Sequence, residues 1–220
     1  MRRAPRGYPS RAVRARTTLL GLALSLGSAA CACARPCDAL ERVPCAVAGG
    51  GGAPAYEDAD TASLPRAVWD VASPRPWSVI VVHHSATLKG GAAAFDVLHK
   101  ARGWDGVGYG FVVGNGTDTP DGAIETTFRW TEQRDGAHAK GWNDVAIGIC
   151  LVGHFEETDP TAAQRASLAR LVRHLRRRFS IPPERVIGHG AVGATLCPGK
   201  RLSLPDVRAA SDPGRKEPGP

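Results

Sequence analysis

The sequence predicts one α/β domain, a mixed central sheet with helices packed against it. Three observations carry that prediction. Two continuous apolar runs rich in β-branched residues, WSVIVVHH (77–84) and DVAIGICLVG (144–153), have the composition of strands buried on both faces. Two segments with a three-to-four-residue apolar period, 91–104 and 161–179, alternate with those runs. Between them, YGFVVG and AIETTF flank the turn-rich NGTDTPDG, the pattern of a hairpin with a long loop.

The first thirty residues hold Arg2, Arg3, Arg6, Arg11, Arg14 and Arg16 and no acid. The apolar run that follows, TTLLGLALSLGSAACACA, is too short to span a bilayer comfortably and ends in small residues. Residues 1–34 therefore read as a secretory signal peptide, with cleavage after Ala32-Cys33-Ala34. A second reading stays open: LGSAAC is a poor relative of a lipoprotein signal, with Ser28 where an aliphatic residue is usual. Under it Cys31 carries a lipid, the one membrane attachment the sequence offers. Either way the chain is expected to be exported, as a periplasmic, envelope-anchored or secreted protein. Residues 35–63, rich in Gly, Ala and Pro, read as a flexible tether, 64–210 as the folded domain, and 211–220 as a disordered tail.

Within the domain, 91–104 sets Phe95, Leu98 and Ala101 or Arg102 on one helical face and stops at Gly103. The longer helix has Leu168, Leu171, Val172, Leu175 and Phe179 on one face, preceded by Thr161 and Gln164 at capping-box spacing. Its arginines, Arg165, Arg170, Arg173, Arg176, Arg177 and Arg178, read as a solvated opposite face. The formal charge of +7 is no sign of nucleic acid: without the six N-terminal arginines, 22 basic residues face 21 acidic ones. A monomer is expected.

Of six cysteines, Cys31 and Cys33 lie in the processing region, and Cys37 and Cys45 could pair in an oxidising compartment. Cys150, inside an apolar run, reads as a small buried hydrophobe. That leaves Cys197 without a mate. His83 or His84 ends a buried strand, His189 follows the short apolar piece RVI, and the glycines of GHGAVGATLCPGK give the loop freedom to return the Cys197 sulfur toward His189. Two imidazoles and one thiolate make the ligand set of a catalytic zinc site, with a position left for water or substrate. A competing reading makes Cys197 the nucleophile of a cysteine hydrolase with His189 as base. It leaves Pro198 and the strand-end histidine without a role.

Four ordered blocks, IVVHHSAT, GWDGVGYGFVV, DGAHAKGWNDVAIGICLVG and GHGAVGATLCPGK, resemble the zinc-dependent N-acetylmuramoyl-L-alanine amidases, the superfamily of amidase-type phage lysozymes and peptidoglycan recognition proteins. The resemblance covers roughly 77–202. It implies an amidase-like fold, Zn2+ held by His83, His189 and Cys197, catalytic roles for Tyr109 and Thr195, and a substrate groove involving His138 and Asn143. It implies peptidoglycan or muropeptides as partner, and either amide hydrolysis or, in non-enzymatic relatives that lack a ligand, recognition alone. The chain departs from the family pattern at Ala146, where serine is usual, at Gly190, where arginine or glutamate is common, and at Thr195, which the phage enzyme fills with lysine.

Overall fold

The computed structural model describes residues 64–71, 73–212 and 214. The signal peptide, the Cys31 lipid, the Cys37–Cys45 pair and the tether all lie outside the described residues. Five strands form one sheet in the order β3-β2-β4-β1-β5: β1 (Val79–His84), β2 (Phe111–Val113), β3 (Ile124–Thr126), β4 (Ala146–Leu151) and β5 (Val186–Gly188). Only β3 runs antiparallel, to β2, as the hairpin pattern requires. The other pairings are parallel, so the sheet is mixed, as expected.

Every residue of β1 and β4 is buried, because both sheet faces are covered. On one face Ile80, Val82, Ile149 and Leu151 meet the helix α4 (Ala162–Phe179) through Leu168, Leu171, Val172 and Leu175. Alongside lie α1 (Arg66–Trp69) and α5 (Leu204–Ala210). Both halves of the α4 capping box form, Thr161 Oγ1 accepting from the Gln164 N–H at 3.0 Å and Gln164 Oε1 from the Thr161 N–H at 3.2 Å. The opposite face, which carries Val79, Val81 and Cys150, meets α2 (Ala92–Ala101) and the loop around Ala139 and Trp142. A further short helix, α3 (Phe128–Thr131), seats Trp130 in the core.

Two readings of helix faces need correction. In α2 the buried pair is Phe95 and His99, four residues apart, while Leu98 is 41% exposed; the helix is rotated so that an imidazole, not a leucine, faces the sheet. In α4, Arg173 and Arg176 are buried rather than solvated. Their guanidinium groups reach carbonyls that the end of α5 leaves unpaired: Arg173 donates to the Ala210 carbonyl at 2.6 Å and Arg176 to the Ser211 carbonyl at 2.8 Å. Packing therefore extends at least to Ser211, which is fully buried. Replacing Arg176 by alanine strands buried carbonyls and is expected to lower the unfolding free energy by about 2 kcal/mol, measured by urea titration with an unchanged slope.

Candidate functional site

Strand register brings the two histidines together. Val82 pairs with Gly188 across β1 and β5, so the residues one step further on, His83 and His189, leave neighbouring strand ends side by side. Their ring centroids lie 4.5 Å apart. The choice between His83 and His84 follows from alternation along β1. His83 faces the same side as Val79 and Val81, whereas His84 turns to the other side and accepts from the Phe155 N–H at 3.1 Å.

After β5 the chain makes a 3-10 turn over His189–Ala191 and folds back, closed by a hydrogen bond from the Gly190 N–H to the Cys197 carbonyl at 2.7 Å. The Cys197 sulfur then lies 3.7 Å from His83 Nδ1, and one donor atom from each of His83, His189 and Cys197 falls within 4.8 Å of the others. Gly188 and Gly190 act through lack of bulk, whereas Gly199, at φ 97°, uses the backbone freedom expected of a glycine. A Cβ on Gly190 would stand 2.8 Å from the Thr195 carbonyl oxygen, and one on Gly188 would stand 2.6 Å from the Pro198 ring. This also accounts for the absence of a long side chain at position 190.

Burial pushes the Cys197 thiol up to about 11, although the His84 N–H at 3.4 Å favours the thiolate. A thiol in that state, with the residue only 8% exposed, is a weak nucleophile on its own, which counts against the cysteine-hydrolase reading. A cation beside it reverses the balance by neutralising the thiolate. Two neutral imidazoles and one sulfur fit zinc by donor chemistry.

His138 determines which nitrogen His83 can offer. Its Nε2 lies 3.2 Å from the Ala146 carbonyl oxygen and its Nδ1 lies 3.0 Å from His83 Nε2. A carbonyl only accepts, so His138 Nε2 carries the proton and Nδ1 is an acceptor. His83 Nε2–H therefore donates to it, leaving the lone pair on His83 Nδ1 facing Cys197. Burial holds both rings neutral, lowering His138 to about 4 and His83 well below its usual value. The departure at Ala146 leaves this contact intact, since the backbone oxygen makes it. Gly148 makes room for the ring: a Cβ there would stand 2.5 Å from His138 Cδ2. Asn143 holds the same loop, its Oδ1 accepting from the N–H groups of His138 and Ala139 at 2.9 and 2.8 Å. Thus the two residues expected in the substrate groove also build the site from behind.

Tyr109 packs against His83 with centroids 5.1 Å apart. Burial keeps its phenol protonated, well above the usual range, and the hydroxyl donates to the buried Cys150 sulfur, which holds the proton further. Thr195 is exposed, and its Oγ1 already accepts from the Cys197 N–H at 3.2 Å, which leaves its hydroxyl hydrogen to donate outward. A cleft of ≈ 370 Å³ opens against His189 and His138, bordered also by Trp104, Lys140 and Asn143; Tyr109 and Thr195 are not part of its lining.

The family described as N-acetylmuramoyl-L-alanine amidase matches residues 73–200, more than half of the chain and all of the site. The chain belongs to the N-acetylmuramoyl-L-alanine amidase family. It is 30% identical to peptidoglycan-recognition protein LB of Drosophila melanogaster over 152 residues, which is 64% of this chain and 62% of that protein, so it spans less than two thirds of that relative. It is 34% identical to the endolysin of Escherichia phage T7 over 127 residues, 54% of this chain and 78% of the endolysin. Among solved structures, N-acetylmuramoyl-L-alanine amidase LysC from Clostridium intestinale URNW superposes with a TM-score of 0.55 at 32% identity, covering 64% of this chain and 91% of LysC.

Two parts of this amidase-family site escaped the sequence reading. His99 accepts from the Gly108 N–H at 3.0 Å and lies 4.6 Å from the Trp104 ring, centroid to centroid, so it supports both Trp104 and the strand leading to Tyr109. Arg129 is buried behind His138 and spans two loops, bonding the Val107 and Asp135 carbonyls at 2.9 and 2.7 Å and pairing with Asp105. The i,i+4 spacing of Phe95 and His99 was the available signal for the first. Nothing local in FRW marks the second.

Proposed function

We propose that the protein is a zinc-dependent hydrolase that cleaves the amide bond between N-acetylmuramic acid and L-alanine in peptidoglycan or its soluble fragments. The observation that carries the proposal is the convergence of His83, His189 and Cys197 within 4.8 Å, with His83 Nδ1 freed by the His138 contact. Under this reading His83, His189 and Cys197 hold the ion. A bound zinc supplies a Lewis acid that activates water and polarises the amide carbonyl.

The chain's own residues do the rest. The Tyr109 phenol, protonated and against His83, exchanges its hydrogen bond to Cys150 for one that orients the attacking water. The Thr195 hydroxyl, anchored through the Cys197 N–H, donates to the oxygen that becomes negative as the carbonyl is attacked. His138 and Asn143 keep the metal-binding histidine and the cleft wall in place. One water is consumed, and the products are the lactyl carboxylate and the free amine of L-alanine. The chain is proposed to be exported, with residues 64–210 as the catalytic domain and attachment to a membrane, if any, through Cys31.

Purified zinc-loaded protein is expected to release new L-alanine amino termini from peptidoglycan, to stop on chelation, and to recover on adding zinc. Turnover that survives complete metal removal, or zinc-loaded protein that binds muropeptides without cleaving them, overturns the proposal. Tyr109→Phe and Thr195→Val are each expected to lower kcat about 100-fold with zinc content unchanged. A loss of zinc in either variant would reassign that residue to holding the site together.

A further inference from the structure

Every titratable side chain at the cleft has a visible task except one. His189 belongs to the metal-ligand set and the His138 ring is held between His83 and Ala146. Asn143 spends its oxygen on the His138 and Ala139 N–H groups, which turns its amide nitrogen away from them. Lys140 lies exposed on the cleft wall and makes no ion pair or hydrogen bond among the described residues. Several other cations have carboxylate partners, Lys100 with Asp96, Arg134 with Asp105, Lys200 with Glu156 and Arg201 with Asp159; exposed Lys89 and Arg102 form no ion pair among the described residues, so what sets Lys140 apart is its place on the cleft wall. No acidic residue lines the cleft. The side-chain polar atoms left to meet a ligand there, the Lys140 ammonium, the Asn143 amide nitrogen and the Trp104 indole N–H, are all donors.

Such a wall suits an anion. We infer that Lys140, with the Asn143 amide nitrogen beside it, forms a subsite for a free carboxylate of the peptide stem and so fixes which way the substrate lies in the cleft. The inference rests on the amidase reading for the choice of substrate. In an N-acetylmuramoyl peptide the lactyl carboxyl is consumed in the scissile amide, so the sugar side offers no carboxylate. The residue after L-alanine does. It lies about 7 Å from the scissile carbonyl for two extended residues, within the compass of a cleft that Lys140 and His189 both line. The stem is thereby drawn over the loop of residues 137–143, with the sugar on the far side of His189. Lys140 is a specificity-determining residue in this account and takes no part in bond cleavage.

The test compares N-acetylmuramoyl-L-alanyl-D-glutamate with its diamide, which has the same scissile bond and no charge. Zinc-loaded wild type is expected to cleave the diacid with about 5-fold higher kcat/KM, the scale of a single exposed charge contact, and to lose that preference as salt is raised. In Lys140→Gln the ratio is expected to fall to about 1, and in Lys140→Glu to invert, with thermal unfolding unmoved. A wild-type ratio that Lys140→Gln leaves unchanged overturns the subsite. If no protein cleaves either compound, the amidase reading fails separately. Calorimetric binding then decides the subsite: tighter binding of the diacid by wild type but not by Lys140→Gln supports it, and equal binding overturns it.

Discussion

Replacing Cys197 by alanine is expected to abolish both zinc retention and amide hydrolysis, leaving the activity of chelated wild type. Cys197 supplies the only anionic donor among the three convergent groups. Without it, two neutral imidazoles remain to hold a dication, and the charge neutralisation that favours binding is lost. The fold itself should survive, because a buried thiol is small and the loop is still closed by the Gly190–Cys197 backbone bond. Stability supplies the second readout. A ligand that binds only the folded state stabilises it by about 4 kcal/mol at a thousand times its Kd, so wild type should melt at higher temperature with zinc than without, and Cys197→Ala should melt alike in both. Cys197→Asp separates the two chemistries that a cysteine allows. A carboxylate can ligate zinc but cannot replace a thiol nucleophile, so measurable zinc binding and part of the hydrolysis should return. Full loss in Cys197→Asp with zinc still bound would revive the thiol mechanism.

Much of this architecture was legible in the sequence, for a physical reason. Strands buried on both faces must be continuously apolar, so WSVIVVHH and DVAIGICLVG announced β1 and β4, and the capping-box pair announced the start of α4. The metal-ligand candidates were legible because histidine at a buried strand end and a cysteine without a mate, in a chain expected to be exported, both call for a partner. What stayed hidden depends on the third dimension. The alternation that sends His83 and His84 to opposite faces has meaning only once each face has an occupant. Arginines read as solvated could not be known to cap α5, since Ala210 and Ser211 are more than thirty residues away. Gly188 and Gly190 looked like flexibility because sequence shows only the missing side chain, whereas the structure shows what fills its place. His138 and Asn143 were placed in the groove by resemblance, and their inward bonds, to His83 and to the backbone of their own loop, have no sequence signature.

The inward bond of His138 leads to the second large effect. His138→Leu is expected to weaken zinc affinity by about 10- to 100-fold, the usual cost of losing a group that orients a metal ligand, because leucine cannot accept the His83 Nε2 proton and the ring is then free to turn or change tautomer. His138→Asn keeps an acceptor near the place of Nδ1 and should recover part of the loss, which a purely space-filling role would not produce. Gly148→Ala reaches the same contact from beneath. Its Cβ would stand 2.5 Å from His138 Cδ2, too close to be tolerated without moving the imidazole, so zinc affinity should fall although no polar group has been removed. Combining the two changes distinguishes a shared route from separate ones. If both act by displacing the acceptor from His83, the double variant Gly148→Ala/His138→Leu should bind zinc about as weakly as His138→Leu alone. Independent effects would multiply, as they do for sites that do not touch. Zinc affinities from chelator competition on the four proteins therefore measure whether the route from Gly148 to the metal runs through the His138 ring, and a multiplicative outcome would place Gly148 in the sheet's packing alone.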